Sequence, residues 1–337
     1  MGLLDHLWAF YAEPVEKPKP VISTTTAVLL SVFCTLAYVV PLYISRSTRP
    51  SATVSRDAPS VIKSRVRTVT VSTFLCSAGL YLFMVNKANF SHSESLRLLG
   101  WWPIGLPEIA KSVLLTALLF MGPLFEKGIA EGEWRSWVRG SEIIECLRGW
   151  IGWRNYVAGP VTEEITFRSL IVPLHLMAQV SQTRIVFTAP LYFGIAHVPH
   201  LYEFKLTHPN TPWAAALLRT LVQFSYTTIF GWLATFLYLR TGSLPAVILV
   251  HSFCNYCGLP RLWGRVGENL PVESTALRGK EDDVDTPSFQ PMYRSLGFGW
   301  TIAYYVILVA GVVAFYFLLW PLTQSPNELA SFTTGSG

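Results

Sequence analysis

Residues 159–176 read Gly-Pro-Val-Thr-Glu-Glu-Ile-Thr-Phe-Arg-Ser-Leu-Ile-Val-Pro-Leu-His-Leu, an apolar segment that carries two adjacent carboxylates, Glu163 and Glu164, and a guanidinium, Arg168. An ionisable side chain at membrane depth is costly, and such groups persist where they face a protein interior or a water-filled cavity. In a membrane protein, this segment therefore predicts a functional site.

The composition is that of a membrane protein. Of 337 residues, 51% are hydrophobic and 14% are charged, whereas an average soluble domain has about 25% charged residues. The mean hydropathy is +0.38. A helix needs about 20 apolar residues to cross about 30 Å of hydrocarbon. Eight segments are candidates, and the fold class that they predict is all-α and polytopic: 22–44, 68–86, 107–125, 160–180, 185–200, 213–239, 244–258 and 298–320.

The basic residues sort by loop rather than forming one dense stripe, so the net charge of +5 does not indicate a nucleic-acid partner. Seventeen of the 26 lysines and arginines fall in the loops on one side of the predicted spans, seven on the other side and two within spans. By the positive-inside rule, the richer loops face the cytosol and both termini lie outside it.

The domain organisation predicted from these spans is a single transmembrane domain, residues 22–325. An extra-membrane lead at 1–21 precedes it, and a tail at 326–337, frayed from Asn327, follows it. The stretch 126–156 interleaves charges with tryptophans, which is typical of an amphipathic helix at the membrane interface.

The two adjacent acids are predicted to play different roles. On a helix, Glu164 and Arg168 are four residues apart on one face and can pair. Glu163 points about 100° away and is left without that partner. An unpaired carboxylate in a low-dielectric site has a raised proton affinity, which suits a general base near neutral pH.

Two further apolar segments carry groups capable of catalysis. In Phe193-Gly-Ile-Ala-His197, the small residues predict the close approach of another helix. In His251-Ser-Phe-Cys-Asn255, the histidine and asparagine share a helix face. Each pair alone is more often structural, but the loop charges place all three motifs at the cytosolic ends of their spans. A base converging with hydrogen-bond donors is what amide hydrolysis needs.

Other interpretations stay open. Glu163, His197 and His251 are possible zinc ligands, although no H-E-x-x-H motif occurs. Serine chemistry at Ser169 or Ser252 is weaker because there is no Gly-x-Ser-x-Gly elbow. The C-x-x-C pair, Cys254 and Cys257, more often means ordinary buried residues than a redox or metal site. A non-catalytic membrane binding protein or a transporter is also consistent with these groups.

The three motifs share one order along the chain, and together they resemble the type II CAAX prenyl proteases, the Ras-converting endopeptidases of the glutamate-dependent intramembrane protease family. The matching motifs are Glu-Glu-x-x-x-Arg at Glu163, Glu164 and Arg168, Phe-x-x-x-His at Phe193 and His197, and His-x-x-x-Asn at His251 and Asn255. The direct match covers about 160–256, within a motif core of 159–256 that a cytosolic loop, 260–297, follows.

The resemblance implies a multi-pass protein of the endoplasmic reticulum membrane, with eight helices around a catalytic cavity open to the cytosol. It implies removal of the last three residues from farnesylated or geranylgeranylated CAAX proteins, such as Ras-like small GTPases, without a metal or other cofactor. Membrane lipid is the other implied partner. By the same resemblance, Glu163 activates water, Glu164 and Arg168 support it, and His197, His251 and Asn255 orient water or form the oxyanion hole. No role for His200 follows from the motifs.

Overall fold

The computed structural model describes residues 19–267 and 296–332, and in these residues the regular structure is entirely helical. The predicted all-α class is confirmed for this part of the chain. The helices, in order, are α1 Thr24–Val39, α2 Pro41–Ile44, α3 Pro59–Asn86, α4 His92–Leu98, α5 Leu106–Leu119, α6 Met121–Leu124, α7 Trp134–Arg139, α8 Ser141–Arg148, α9 Trp150–Trp153, α10 Gly159–Glu164, α11 Ile171–Met177, α12 Gln182–Ala196, α13 His200–Thr207, α14 Trp213–Thr241, α15 Leu244–Cys257 and α16 Phe298–Thr323. Three wider π-helical segments join some of them: Phe125–Ala130, Arg154–Ala158 and Ile165–Leu170.

Three helical stretches in the described residues are long and apolar enough to cross a membrane: Thr24–Ile44, Pro59–Asn86 and Phe298–Thr323. The pair Leu106–Leu119 and Met121–Ala130, bent by 79°, makes a fourth if it is one broken span. Helices also occupy the other predicted segments, but they are shorter, interrupted or less apolar. A membrane protein is therefore supported, and the count of eight spans stays a prediction.

Local sequence chemistry sets the helix ends. Ser23 caps α1, where its hydroxyl accepts a hydrogen bond from the Thr26 N–H at 3.0 Å, and Ser243 caps α15 in the same way. Gly242 ends α14 with φ of +60°, a left-handed conformation that glycine adopts without a steric cost. Pro160 stands in the first turn of α10, as its missing N–H allows.

The stretch 126–156 is not one amphipathic helix, so that prediction is wrong in form. Gly140, with φ of +68°, ends α7, and Gly149 separates α8 from α9. Both glycines interrupt the helical hydrogen bonding and turn the chain. Apolar side chains on these short helices, including Val138 and Ile143, are nonetheless exposed.

The expectation of a frayed tail from Asn327 is wrong for the residues up to 332. Arg240 at the end of α14 forms an ion pair with Glu328, with 3.0 Å between Nη1 and Oε2. Ser325 and Asn327 donate hydrogen bonds to Glu108, whose carboxylate is buried in the first turn of α5. A buried acid needs such donors, and they hold this segment in place. Residues 333–337, the N-terminal 18 residues and most of the predicted loop 260–297 lie outside the described residues.

Two glycines bring the site-bearing helices together. A Cβ added to Gly194 of α12 would stand 2.5 Å from the Thr228 hydroxyl of α14. A Cβ added to Gly231 of α14 would stand 2.6 Å from Pro190 of α12. The two helices pack at a distance that no larger residue allows at either position, which confirms the close approach predicted at Gly194.

Candidate active site

The two acids lie on α10, a short helix between two wider helical segments. Arg154–Ala158 precedes it and Ile165–Leu170 follows it. Pro173 stands just beyond the second segment; because its ring removes a backbone donor and crowds the preceding turn, a widened helix is favoured there. These wider turns set the directions in which the acidic and basic side chains of this region point.

Glu164 and Arg168 form a fully buried ion pair, as the spacing predicted. The Arg168 Nη1 lies 3.0 Å from the Glu164 Oε1, and the two side chains are 1% and 0% exposed. The guanidinium also lies over two aromatic rings, with its Cζ 4.7 Å from the centroid of Phe193 and 5.5 Å from that of Phe230. Ion pairing and the ring faces together offset part of the cost of removing this cation from water.

His251 connects the two acids. Its Nδ1 lies 2.6 Å from the Glu164 Oε1, and its Nε2 lies 3.7 Å from the Glu163 Oε2. Because a carboxylate accepts, Nδ1 donates in this hydrogen bond, and in the tautomer with a single ring proton Nε2 is an acceptor on the side of Glu163. The ring of Phe230 packs against the imidazole at 4.6 Å between centroids.

Glu163 differs from Glu164 in its access to the exterior. Its side chain is 22% exposed, whereas that of Glu164 is completely buried. Glu163 lines a cavity of about 180 Å³ together with His197 and Asn255. Glu163, on the cavity wall, can contact water and a substrate. Glu164, buried behind the wall, can influence the reaction only through the residues that it contacts.

His197 and Asn255 are held in place by backbone carbonyls. The His197 Nδ1 donates to the Phe193 carbonyl at 2.8 Å, which leaves its Nε2 without a proton in the neutral ring. The Asn255 Nδ2 donates to the Asn155 carbonyl at 2.9 Å, so one amide hydrogen stays available.

All six residues predicted from the motifs come together in the structure. Three line the cavity and three stand behind it in contact with one another. Phe193 touches both groups: its ring centroid lies 4.7 Å from that of His197 and 6.1 Å from that of His251. The first residue of the Phe-x-x-x-His motif thus forms a packing surface for the catalytic candidates, whose roles stay predictions.

The cavity wall also contains basic residues that do not belong to any of the three motifs. Arg56, Arg65 and Arg154 line the same cavity. Glu203 on α13 binds Arg65 at 2.5 Å and Arg56 at 3.0 Å. His200 also lines the cavity, with its Nδ1 3.2 Å from Glu203. In the sequence, these arginines indicate only the side of the membrane on which their loops lie. Their ion-pair partners are about 100 to 150 residues away along the chain, so local spacing does not predict the pairs.

Glu203, which lies beyond the end of the fifth predicted span, is held as a carboxylate. Burial raises the pKa of this group, but the close contact with His200 and the charges of Arg56 and Arg65 outweigh burial and hold the pKa well below its usual range. The cluster therefore stays ionised at neutral pH and ties α13 to α3 and the loop that precedes it.

The two serine hydroxyls considered as nucleophiles are both engaged in hydrogen bonds with other groups. Ser169 is completely buried, donates to the Leu99 carbonyl at 2.6 Å and accepts from the Trp101 indole. Ser252 donates to the Ile248 carbonyl of its own helix. Neither has a histidine as its base, which weakens that alternative.

The cysteines Cys254 and Cys257 carry free thiols. Across residues 19–267 and 296–332, no group of three or more His, Cys, Asp or Glu side chains is arranged to hold a metal ion.

Fold and site together define a helical membrane protein with a polar cavity built around paired acids. A family described as "Type II CAAX prenyl endopeptidase Rce1-like" matches residues 147–257, the part of the chain that carries the three motifs.

Relatives match over more of the chain. It is 36% identical over 300 residues to the "Probable CAAX prenyl protease 2" of Schizosaccharomyces pombe, which covers 89% of this chain and 94% of the relative. It is 36% identical to the human "CAAX prenyl protease 2" over 68% of this chain and 69% of the relative. The Arabidopsis thaliana protein of the same name is 30% identical over 77% of this chain and 87% of the relative. A comparison with solved structures found no match.

This chain belongs to the CAAX prenyl protease 2 family.

Proposed function

We propose that this protein is an intramembrane endopeptidase that removes the C-terminal tripeptide from prenylated CAAX proteins, with Glu163 as the base that activates water. The family supports the reaction. The observation that carries the mechanism is the contrast between the adjacent acids: Glu163 opens onto the cavity, and Glu164 is sealed behind it.

The chemistry needs one proton to move twice. Glu163 takes a proton from water as the oxygen adds to the carbonyl carbon of the scissile amide. The tetrahedral intermediate then collapses, the C–N bond breaks, and the proton on Glu163 passes to the leaving amine. The products are a protein ending in the prenylated cysteine and a free tripeptide.

His251 is suited to orienting the attacking water. Its Nε2 acceptor and the Glu163 carboxylate are 3.7 Å apart, a separation that a water molecule can bridge by giving one hydrogen to each. Glu164 fixes the tautomer of His251 by accepting from Nδ1, and Arg168 neutralises the charge of Glu164.

Asn255 is suited to the oxyanion. Its second amide hydrogen can donate to oxygen as negative charge develops there, which is the electrostatic contribution that this kind of reaction needs. His197 presents its Nε2 acceptor on the same cavity and is assigned a place beside the leaving group, where an acceptor can orient the departing amine.

The membrane setting proposed for this reaction is the endoplasmic reticulum, with eight spans, a single transmembrane catalytic domain at 22–325 and the cavity open to the cytosol. The loop charges support this orientation. Arg56, on the cavity wall, belongs to one of the basic loops that the positive-inside rule assigns to the cytosol. The substrates proposed are farnesylated or geranylgeranylated proteins such as Ras-like small GTPases, which are made on that side.

Tripeptide release from a farnesylated Cys-a-a-X peptide by detergent-solubilised protein tests this proposal. The variants are Glu163→Gln, which keeps the shape of the side chain and removes the base, and Glu145→Gln, which makes the same change on an exposed surface helix. We expect Glu163→Gln to lower kcat by a factor of about 10² or more, the usual contribution of a general base, and Glu145→Gln to leave it unchanged.

A chelator separates the alternatives. Release that resists chelation and is lost in Glu163→Gln supports glutamate-activated water, and release that is lost on chelation moves the assignment to zinc. Folded protein that releases no tripeptide contradicts the proposal and favours a binding protein or transporter.

A further inference from the structure

The cavity that holds Glu163 has a cationic wall as well as an acidic one. Arg56, Arg65 and Arg154 bring three guanidinium groups to it, and they come from different parts of the chain. A substrate that lies against Glu163 in this cavity lies within the field of these positive charges.

The arginines on this wall outnumber the carboxylates that form ion pairs with them. Glu203 forms ion pairs with both Arg56 and Arg65, and Asp57 forms an ion pair with Arg154 at 2.7 Å. Three cations therefore share two anions. Glu203 also accepts from the Tyr43 hydroxyl, so it does not depend on Arg56 for its hydrogen bonds.

Arg56 has free donors. Its side chain is 46% exposed, and only its Nη1 takes part in the ion pair with Glu203. A guanidinium carries five N–H groups in a planar fork that matches a carboxylate. A neighbouring cavity of about 340 Å³ is also lined by Arg56 and Arg65, and Glu203 is the one acid among its lining residues.

Resting on the proposed function, we infer that Arg56 binds the free α-carboxylate of the substrate's last residue, with Arg65 and Arg154 reinforcing the positive charge around it. An enzyme that removes three residues must measure a fixed distance from the end of the chain. A carboxylate held at one point of the cavity wall, with the scissile bond at Glu163, sets that distance. Three residues of extended chain reach about 10 Å at most.

A pair of farnesylated peptides tests this assignment. They have the same sequence, and one ends in a free carboxylate while the other ends in a carboxamide, which has no charge. The cleavage product that ends in farnesyl-cysteine is common to both and is measured by mass spectrometry. The proteins compared are wild type, Arg56→Gln, Arg56→Lys and Arg67→Gln, the last a basic residue of the same region that lines neither cavity.

The expected result is a preference that depends on Arg56. Wild type and Arg67→Gln cleave the acid with a kcat/KM about tenfold or more above that of the amide, as the loss of a charge-assisted hydrogen bond implies. Arg56→Gln cleaves the acid and the amide with nearly equal kcat/KM, mainly through a raised KM for the acid. Arg56→Lys retains part of the preference because it keeps the charge without the planar fork.

The amide peptide also controls for folding, because the ratio of acid to amide cleavage does not depend on how much of the Arg56→Gln protein is folded. If wild type cleaves acid and amide equally well, the carboxylate assignment is wrong and the proposed function stands. If Arg56→Gln slows both peptides by one factor, the residue has a structural role and the assignment is wrong. If wild type cleaves neither peptide, the proposed function fails and the assignment fails with it.

Discussion

The buried pair of Glu164 and Arg168 makes a quantitative prediction about stability. Arg168→Met removes the cation and leaves a carboxylate that is 0% exposed with His251 as its remaining polar partner. Breaking a buried pair from one side costs about 3–5 kcal/mol because the other charge is left uncompensated. Glu164→Gln leaves the guanidinium in the same position, so we expect a loss of similar size.

The double variant Glu164→Gln, Arg168→Met removes both charges at once. Its free energy of unfolding should fall by less than the sum of the two single losses, with a coupling energy of up to about 3 kcal/mol. Activity should not recover with stability, because the double variant lacks the carboxylate that fixes the tautomer of His251. The measurement is equilibrium unfolding in detergent, followed by the fluorescence of the twelve tryptophans, with tripeptide release measured alongside.

A matched control comes from Arg240 and Glu328, which are also 3.0 Å apart but are 11% and 32% exposed. Because solvent screens this second pair, Arg240→Met and Glu328→Gln should couple by about 1 kcal/mol or less. If the losses of the two single variants at Glu164 and Arg168 sum to the loss of the double variant within about 0.5 kcal/mol, the claim that the buried charges depend on each other is refuted.

Three further predictions concern packing, pH and the cysteines. Gly231→Ala should cost about 1–3 kcal/mol in unfolding experiments, because the added methyl group overlaps a proline ring of α12, whereas Gly79→Ala, with open space around it, should stabilise slightly; equal effects would contradict this. The pKa of Glu203 is lower in the folded protein than in the unfolded chain, so the stability that it contributes is present above about pH 4.3 and is lost as pH falls. In melting experiments from pH 7 to pH 3, wild type should therefore lose more stability than Glu203→Gln, and parallel curves would contradict this. The double variant Cys254→Ala, Cys257→Ala should release tripeptide at close to the wild-type rate, and loss of activity would count against the proposed mechanism.

Sequence reasoning was strongest where the relevant partners are close along the chain. The pairing of Glu164 with Arg168 follows from a spacing of four residues, and the structure confirms it. Sequence reasoning failed at 126–156, where two glycines divide the predicted helix. It also failed at the tail, where Glu328 pairs with Arg240, 88 residues away along the chain.

The sequence by itself determined that this is a helical membrane protein and which motif residues are candidates for catalysis, because apolar length and helical spacing are local properties. Only the tertiary structure showed that the acid without an arginine partner lines a cavity and that the other acid is sealed behind it. Glu163 and Glu164 are neighbours of one chemical type, and the packing of Arg168 and His251 around one of them makes the difference. The tertiary structure also placed Arg56 on the wall of the same cavity, because Glu203, 147 residues away, holds its guanidinium there.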